Sequence, residues 1–347
     1  MAGAIAIRTL TDGGQHAADV AAELAAFIAE ARSAVAIAQY DFHLAPGTAA
    51  ILGGAIRNAA ARGVAVRIVY DVDHANPVPV PPPPEPDAQL IASLGVPSQA
   101  IAGVPDLMHH KYVVRDDDSV LTGSTNWTDD SWTRQENLIA TVRSPELAAA
   151  YARNFEELWG GKPVADTGDV SPTPVSLGGV EVRPWFTPRH GEDLSAHIGR
   201  AIATARRRIR ICSPVITAAP VLSALAQVVS EGRVDVAGCV DATQVREVIS
   251  QWHANGNATW KLPLLQRALS GGFSGKPSTP WTPDSVHDFM HAKVTVADDV
   301  VFTGSFNLSR SGEQNAENVL EIADAGLAEQ LGTYVDGVCA RYPALAV

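Results

Sequence analysis

Two segments of this chain repeat one pattern of apolar and polar positions. Residues 18–44 read ADVAAELAAFIAEARSAVAIAQYDFHL and residues 193–217 read DLSAHIGRAIATARRRIRICSPVIT. Each is alanine-rich with helical spacing, ends at Ala-Arg, and passes at once into a β-branched run, Val35–Ile37 or Ile209–Ile211. The next elements correspond as well. Apolar positions three and four apart predict helices over 49–61 and 220–230. Gly63 and Gly232 mark the helix exits, and strands follow over Val64–Val69 and Val234–Val240, ending near Asp71 and at Asp241.

After a divergent stretch the halves agree again. Residues 109–126 are HHKYVVRDDDSVLTGSTN and residues 291–307 are HAKVTVADDVVFTGSFN. Both continue to Glu-Asn, at Glu136-Asn137 and Glu317-Asn318. His291 lies 182 positions after His109, whereas Gly304 lies 181 after Gly123 and Glu317 lies 181 after Glu136. One extra residue in Asp116–Asp118 accounts for the step. Each half closes with an amphipathic helix, near Pro145–Trp159 and Gly326–Tyr342.

Helices alternating with strands and hairpin-like pairs predict an α/β fold, and a duplicated unit of this size predicts two domains related by a pseudo-twofold axis. The expected domains are 1–160 and 179–347. A Gly/Pro/Thr-rich linker spans 161–178. The run at 77–86, mostly proline, reads as a rigid exposed loop.

Composition sharpens this. A 347-residue chain that is 46% hydrophobic and 18% charged has ample material for two cores. A net charge of −12 argues against general electrostatic capture of nucleic acid, although a local basic cleft on an acidic protein is compatible with it. The basic run Arg206–Arg208 reads as a helix end leading into a strand. Three cysteines, Cys212, Cys239 and Cys339, give neither zinc spacing nor a disulfide framework. The N-terminal apolar stretch is too short for a signal peptide, and no apolar run is long enough to span a bilayer. A cytoplasmic chain is the expectation.

The chemistry concentrates in the two His-x-Lys pairs. Positions i and i+2 of a strand share a face, so His109 with Lys111, and His291 with Lys293, project together. A Gly-Ser-x-Asn turn follows each pair and offers Ser124 and Asn126, or Ser305 and Asn307. Cations and amides suit the oxygens of a tetrahedral phosphate, and two opposed histidines suit attack on phosphorus and protonation of the leaving oxygen. One histidine cannot serve both sides of an in-line displacement, so the duplication supplies what the mechanism needs. No zinc, EF-hand or P-loop pattern is present, and neither a metal nor a cofactor is expected.

HHKYVVRD at 109–116 and HAKVTVAD at 291–298, each followed by G-S-x-N and then E-N, resemble the phospholipase D superfamily over essentially the whole chain. The resemblance implies two phospholipase D-like α/β/α sandwich domains building one metal-independent phosphodiesterase site. It implies a phosphohistidine on His109 and an acid at His291. Lys111, Lys293, Asn126 and Asn307 would hold phosphate oxygens, with Ser124 and Ser305 hydrogen bonding nearby. Glu136 and Glu317 would bond the far imidazole nitrogens. Asp116 and Asp298 match the motif acid and are expected in support, a few residues from the chemistry. Trp281, His287 and Phe289 are candidates for the leaving-group side of the pocket, and His110 faces away from it. A phospholipid is the expected substrate, met in transient contact with a membrane surface. Nuclease activity on DNA or RNA is the alternative, and a non-catalytic binding protein the second. A monomer suffices, since one chain carries both half-sites.

Overall fold

The computed structural model describes residues 4–72, 86–256, 258–280, 282 and 285–345. Trp281, His74 and all of the proline-rich run but Pro86 lie outside these described residues.

Two mixed sheets organise the chain. The first has strands in the order Ile5–Leu10, Asn137–Arg143, Ser119–Gly123, Lys111–Arg115, Ala34–Gln39, Ala65–Val72 and Ser98–Ala102. The second runs Val175–Leu177, Val180–Phe186, Asn318–Ala323, Val300–Gly304, Val294–Ala297, Arg208–Ser213, Asp235–Asp241 and Phe273–Lys276. Apart from the first strand of the second sheet, the two orders match one for one. In each, the last three strands are parallel and the rest antiparallel. Parallel neighbours require a crossover, supplied by helix Pro46–Ala61 in one half and Ala219–Glu231 in the other.

The helices form layers on both faces of each sheet. Helices Ala17–Ala29 and Pro46–Ala61 bury Leu24, Ile28, Leu52 and Ile56 against Ile37, Ile68 and Val113. Helices Gly191–Thr204 and Ala219–Glu231 bury Leu194, Ile198, Leu222 and Leu225 against Ile209, Ile211 and Val240. The closing helices, Pro145–Trp159 and Ala325–Arg341, lie inside, in one apolar cluster that draws on both halves: Tyr112, Tyr151 and Phe155 with Phe186, Val294, Leu320 and Leu331. The halves therefore share their inner core, and the pseudo-twofold relation is enforced by burial.

The segment between the halves is tied down. Gly168 N–H donates to Glu157 Oε2 at 2.8 Å, and Val175–Leu177 pairs antiparallel with Val180–Val182, so the second sheet begins inside the expected linker. The second half also carries an addition between its last two strands. Helix Ala242–Asn255, a turn at Thr259–Lys261 and helix Leu262–Leu269 stand there, where the described residues of the first half hold the single short helix Ala88–Ser93.

Candidate active site

Each His-x-Lys pair sits where an inner strand enters from the domain interface. Lys111 opens strand Lys111–Arg115, and His109 lies two residues before it. The approach to each histidine is pinned by the other half. His109 N–H donates to Ala316 O at 2.9 Å, Ala316 N–H donates to Leu107 O at 2.8 Å, and His291 N–H donates to Glu136 O at 3.2 Å. The two bridges, Met108 with Ala316 and Glu136 with Met290, mark these crossings and are one residue out of register with each other under the repeat.

The strand-end aspartates hold the same segments from below. Asp71 Oδ1 accepts from Met108 N–H at 2.7 Å, and Asp241 Oδ2 accepts from Met290 N–H at 3.0 Å. Each carboxylate thereby fixes the residue just before a motif histidine. The repeat of aspartates at strand ends was the sequence signal for this role, which the motif alone does not contain.

Both histidines line one cavity of about 410 Å³, together with Asn126, Asn307, Tyr40, Asp41, His287 and Phe289. Nδ1 of His109 lies 2.8 Å from both carboxyl oxygens of Glu317, which comes from the opposite half. Tyr40 packs edge-on against the imidazole with ring centres 4.5 Å apart. Burial is the dominant electrostatic influence. It raises the Glu317 carboxyl to about 8 and lowers Lys111 to about 7, against the opposing pull each exerts on the other. Burial also depresses His109, and Lys111, Lys293 and His291 push it further down. His291 and Lys293 are depressed in the same way, first by burial and then by neighbouring cations. Burial thus works against charge on His109 and on Glu317 alike, while an anion bound among the two lysines favours the charged form of each lysine. Each lysine Nζ donates to the carbonyl of its own motif histidine, at 2.8 Å for Lys111 and 2.7 Å for Lys293.

Glu136 departs from the sequence expectation. His291 Nδ1 finds Asn137 Oδ1 at 3.1 Å, and no hydrogen bond joins it to Glu136. The fully buried Glu136 carboxylate turns instead to the end of the last helix. There it accepts from Tyr342 Oη at 2.6 Å and lies 3.7 Å from Arg341 Nε. Glu317 meets no such competitor, because the matching closing helix of the first half ends in Trp159 and Gly160.

The remaining expected residues fall into two groups. Asn126 and Asn307 face the cavity, and each has a buried Oδ1 without a partner among the described residues. His287 and Phe289 line it as a stacked pair 5.7 Å apart, held by His287 N–H donating to Asp130 and by Gln135 donating to His287 O. Asp116 and Asp298 stand at the far ends of their strands. Asp116 accepts from the backbone N–H groups of Arg32, Ser33 and Ala34, and Asp298 from those of Arg206, Arg207 and Arg208. These bonds hold both carboxyls below the usual range, against a partial burial that acts the other way. Ser124 donates to Asn137 Oδ1 at 2.7 Å, and Ser305 sits 3.5 Å from Asn318 Oδ1. Both serines lock the turn to the Glu-Asn strand. A Cβ on the preceding Gly123 or Gly304 would lie 2.2 or 2.1 Å from a backbone oxygen of that strand, which is why glycine stands there. His110 points into the shared core against Tyr112 and Phe186.

The family model for the PLD-like domain of cardiolipin synthase matches residues 24–159 and again 198–338. The chain belongs to the phospholipase D superfamily. Curated relatives of this phospholipase D-like chain include mitochondrial cardiolipin hydrolases. That of Chlamydomonas reinhardtii is 31% identical over 98 residues, 28% of this chain and 41% of the relative. That of Xenopus tropicalis is 34% identical over 99 residues, 28% and 43%. The chain thus spans about two-fifths of the length of the curated relatives it matches. Among solved structures, phosphatidylserine synthase of Haemophilus influenzae superposes with a TM-score of 0.66 at 15% identity, over 96% of this chain and 86% of that one. Polyphosphate kinase of Porphyromonas gingivalis gives 0.60 at 11%, over 96% and 46%. At such identities the likeness is one of fold. Among the described residues, no helix is long and apolar enough to cross a membrane.

Proposed function

We propose that this protein is a phosphodiesterase of the phospholipase D type, acting on a phospholipid through a covalent phosphohistidine. The observation that carries the reading is the convergence of His109 and His291, one from each half, on a single cavity, with Glu317 of the second half 2.8 Å behind His109.

The Glu317 bond keeps the His109 proton on Nδ1 and leaves the Nε2 lone pair for attack on phosphorus. A phosphorus–nitrogen bond forms as the bond to the leaving oxygen breaks. The bound phosphate anion favours the doubly protonated imidazolium of His291, which donates its Nε2 proton to that oxygen while its Nδ1–H stays hydrogen-bonded to Asn137 Oδ1. The neutral His291 then takes a proton from water or an alcohol, which attacks phosphorus and releases His109. Lys111, Lys293, Asn126 and Asn307 hold the non-bridging oxygens, where negative charge concentrates. Apolar lining from Leu107, Val215, Val248, Trp252 and Phe289 suits a lipid ester better than a polynucleotide.

The test is turnover of purified protein on phosphatidylcholine and phosphatidylethanolamine micelles, with single-stranded and duplex DNA in parallel and His109→Ala as control. Headgroup release that disappears in the variant is expected. DNA cleavage with silent lipid arms would overturn the lipid assignment and leave the histidine chemistry standing.

A further inference from the structure

The cavity wall beside His109 carries a carboxyl that the phosphoryl chemistry leaves unused. Asp41 is 4% exposed and lines the cavity, and its Oδ1 is buried without a hydrogen-bond partner among the described residues. The backbone fixes its place. Its carbonyl accepts from Trp127 N–H at 2.9 Å and from Gln39 Nε2 at 3.1 Å, and the next residue, Phe42, pairs with Trp127 in a short parallel bridge. A buried carboxyl with an unmet oxygen is costly, and burial raises this one to about 7 while Lys111 pulls it down.

The repeat makes Asp41 stand out. Phosphate itself is served by residues present twice, once in each half. The position matching Asp41, two residues past strand Arg208–Ser213, is Val215, whose side chain offers neither charge nor hydrogen bond. The carboxyl therefore breaks the symmetry of the cavity. On that side the wall is apolar, built from Val215 itself with Val248 and Trp252 of the added helix Ala242–Asn255.

We infer that Asp41 is a specificity residue, accepting a hydrogen bond from a hydroxyl or ammonium group on one ester arm of the substrate. This rests on reading the cavity as a phosphodiester site. Its role is recognition, because the histidines already account for every proton moved. A site whose buried acceptor is satisfied only by a donor-bearing substrate discriminates strongly against an analogue without one.

Binding of small phosphate esters to the full chain tests it by calorimetry. Phosphoethanolamine carries the ammonium and glycerol phosphate the hydroxyl. Phosphocholine and ethyl phosphate carry no donor beyond the phosphate. Wild type should bind the first two roughly tenfold or more tighter than the last two. Asp41→Ala should abolish both preferences and leave ethyl phosphate unchanged. Asp41→Asn, nearly isosteric and therefore safe for folding, should keep the hydroxyl preference and lose much of the ammonium one, since it retains an acceptor without charge. Equal affinity of all four esters for wild type, or an equal loss of all four in Asp41→Ala, would overturn the inference while leaving the phosphate site intact. Failure of ethyl phosphate and inorganic phosphate to bind at all would remove the phosphodiester reading and the inference with it.

Discussion

His109 and His291 are repeats of each other in sequence and unlike each other in surroundings. One leans on a buried carboxyl, the other on an amide. Replacing either by alanine should lower turnover by more than about a thousandfold, as loss of a covalent or acid group does. The two losses should differ in kind. His291→Ala should retain more activity on esters with acidic leaving groups, which depart without a proton; an equal loss across a leaving-group series would remove His291 as the acid. The pH profile follows from Lys111, lowered by burial to about 7. A lysine with a depressed pKa is charged below that value and neutral above it. So kcat/KM, which reports the free enzyme, should fall as pH rises through about 7. Lys111→Arg should flatten that limb, because a guanidinium keeps its charge.

Elements explain why the motif aspartates are where they are. Asp116 and Asp298 clamp the start of the neighbouring antiparallel strand and stand at the opposite end of their own strand from the histidine. Both adopt a positive φ, 52° in each case, a conformation that aspartate tolerates better than most residues. Asp116→Ala should cost about 1–3 kcal/mol of stability by stripping acceptors from several N–H groups, and leave turnover of the folded protein within about tenfold. Urea unfolding beside a turnover assay checks both. A thousandfold loss of activity without loss of stability would place Asp116 in the chemistry instead. Periodicity exposed the long elements well. The closing helix over 145–159 and the crossover helices lie within a few residues of expectation. Strands Ile5–Leu10 and Val180–Phe186 escaped notice, the first read only as a short apolar stretch. The second holds Pro184, which a strand tolerates where its missing N–H faces no partner, and its outer neighbour pairs only as far as Val182.

On the scale of the whole molecule, the end of the chain reaches back into the first half. Tyr342 and Arg341 converge on Glu136, and Lys276 donates to Asp12 at 3.1 Å and to Arg134 O at 2.6 Å. This polar cluster decides which residue is left for His291. Tyr342→Phe removes a donor from a fully buried carboxylate, and should destabilise the protein by roughly 1–3 kcal/mol in urea unfolding. No change in midpoint would show that Glu136 does not depend on the hydroxyl.

The sequence by itself determined the duplication, the alternation of helices and strands, and the pairing of each histidine with its lysine, because these are local or periodic properties of the chain. Only the tertiary structure decided that Glu317 serves His109 across the interface, that Asn137 takes the place of Glu136, and that Asp41 stands on the cavity wall. These depend on contacts between residues more than a hundred positions apart, or on which neighbour wins a buried hydrogen bond. No spacing along one half encodes the packing of that half against the other.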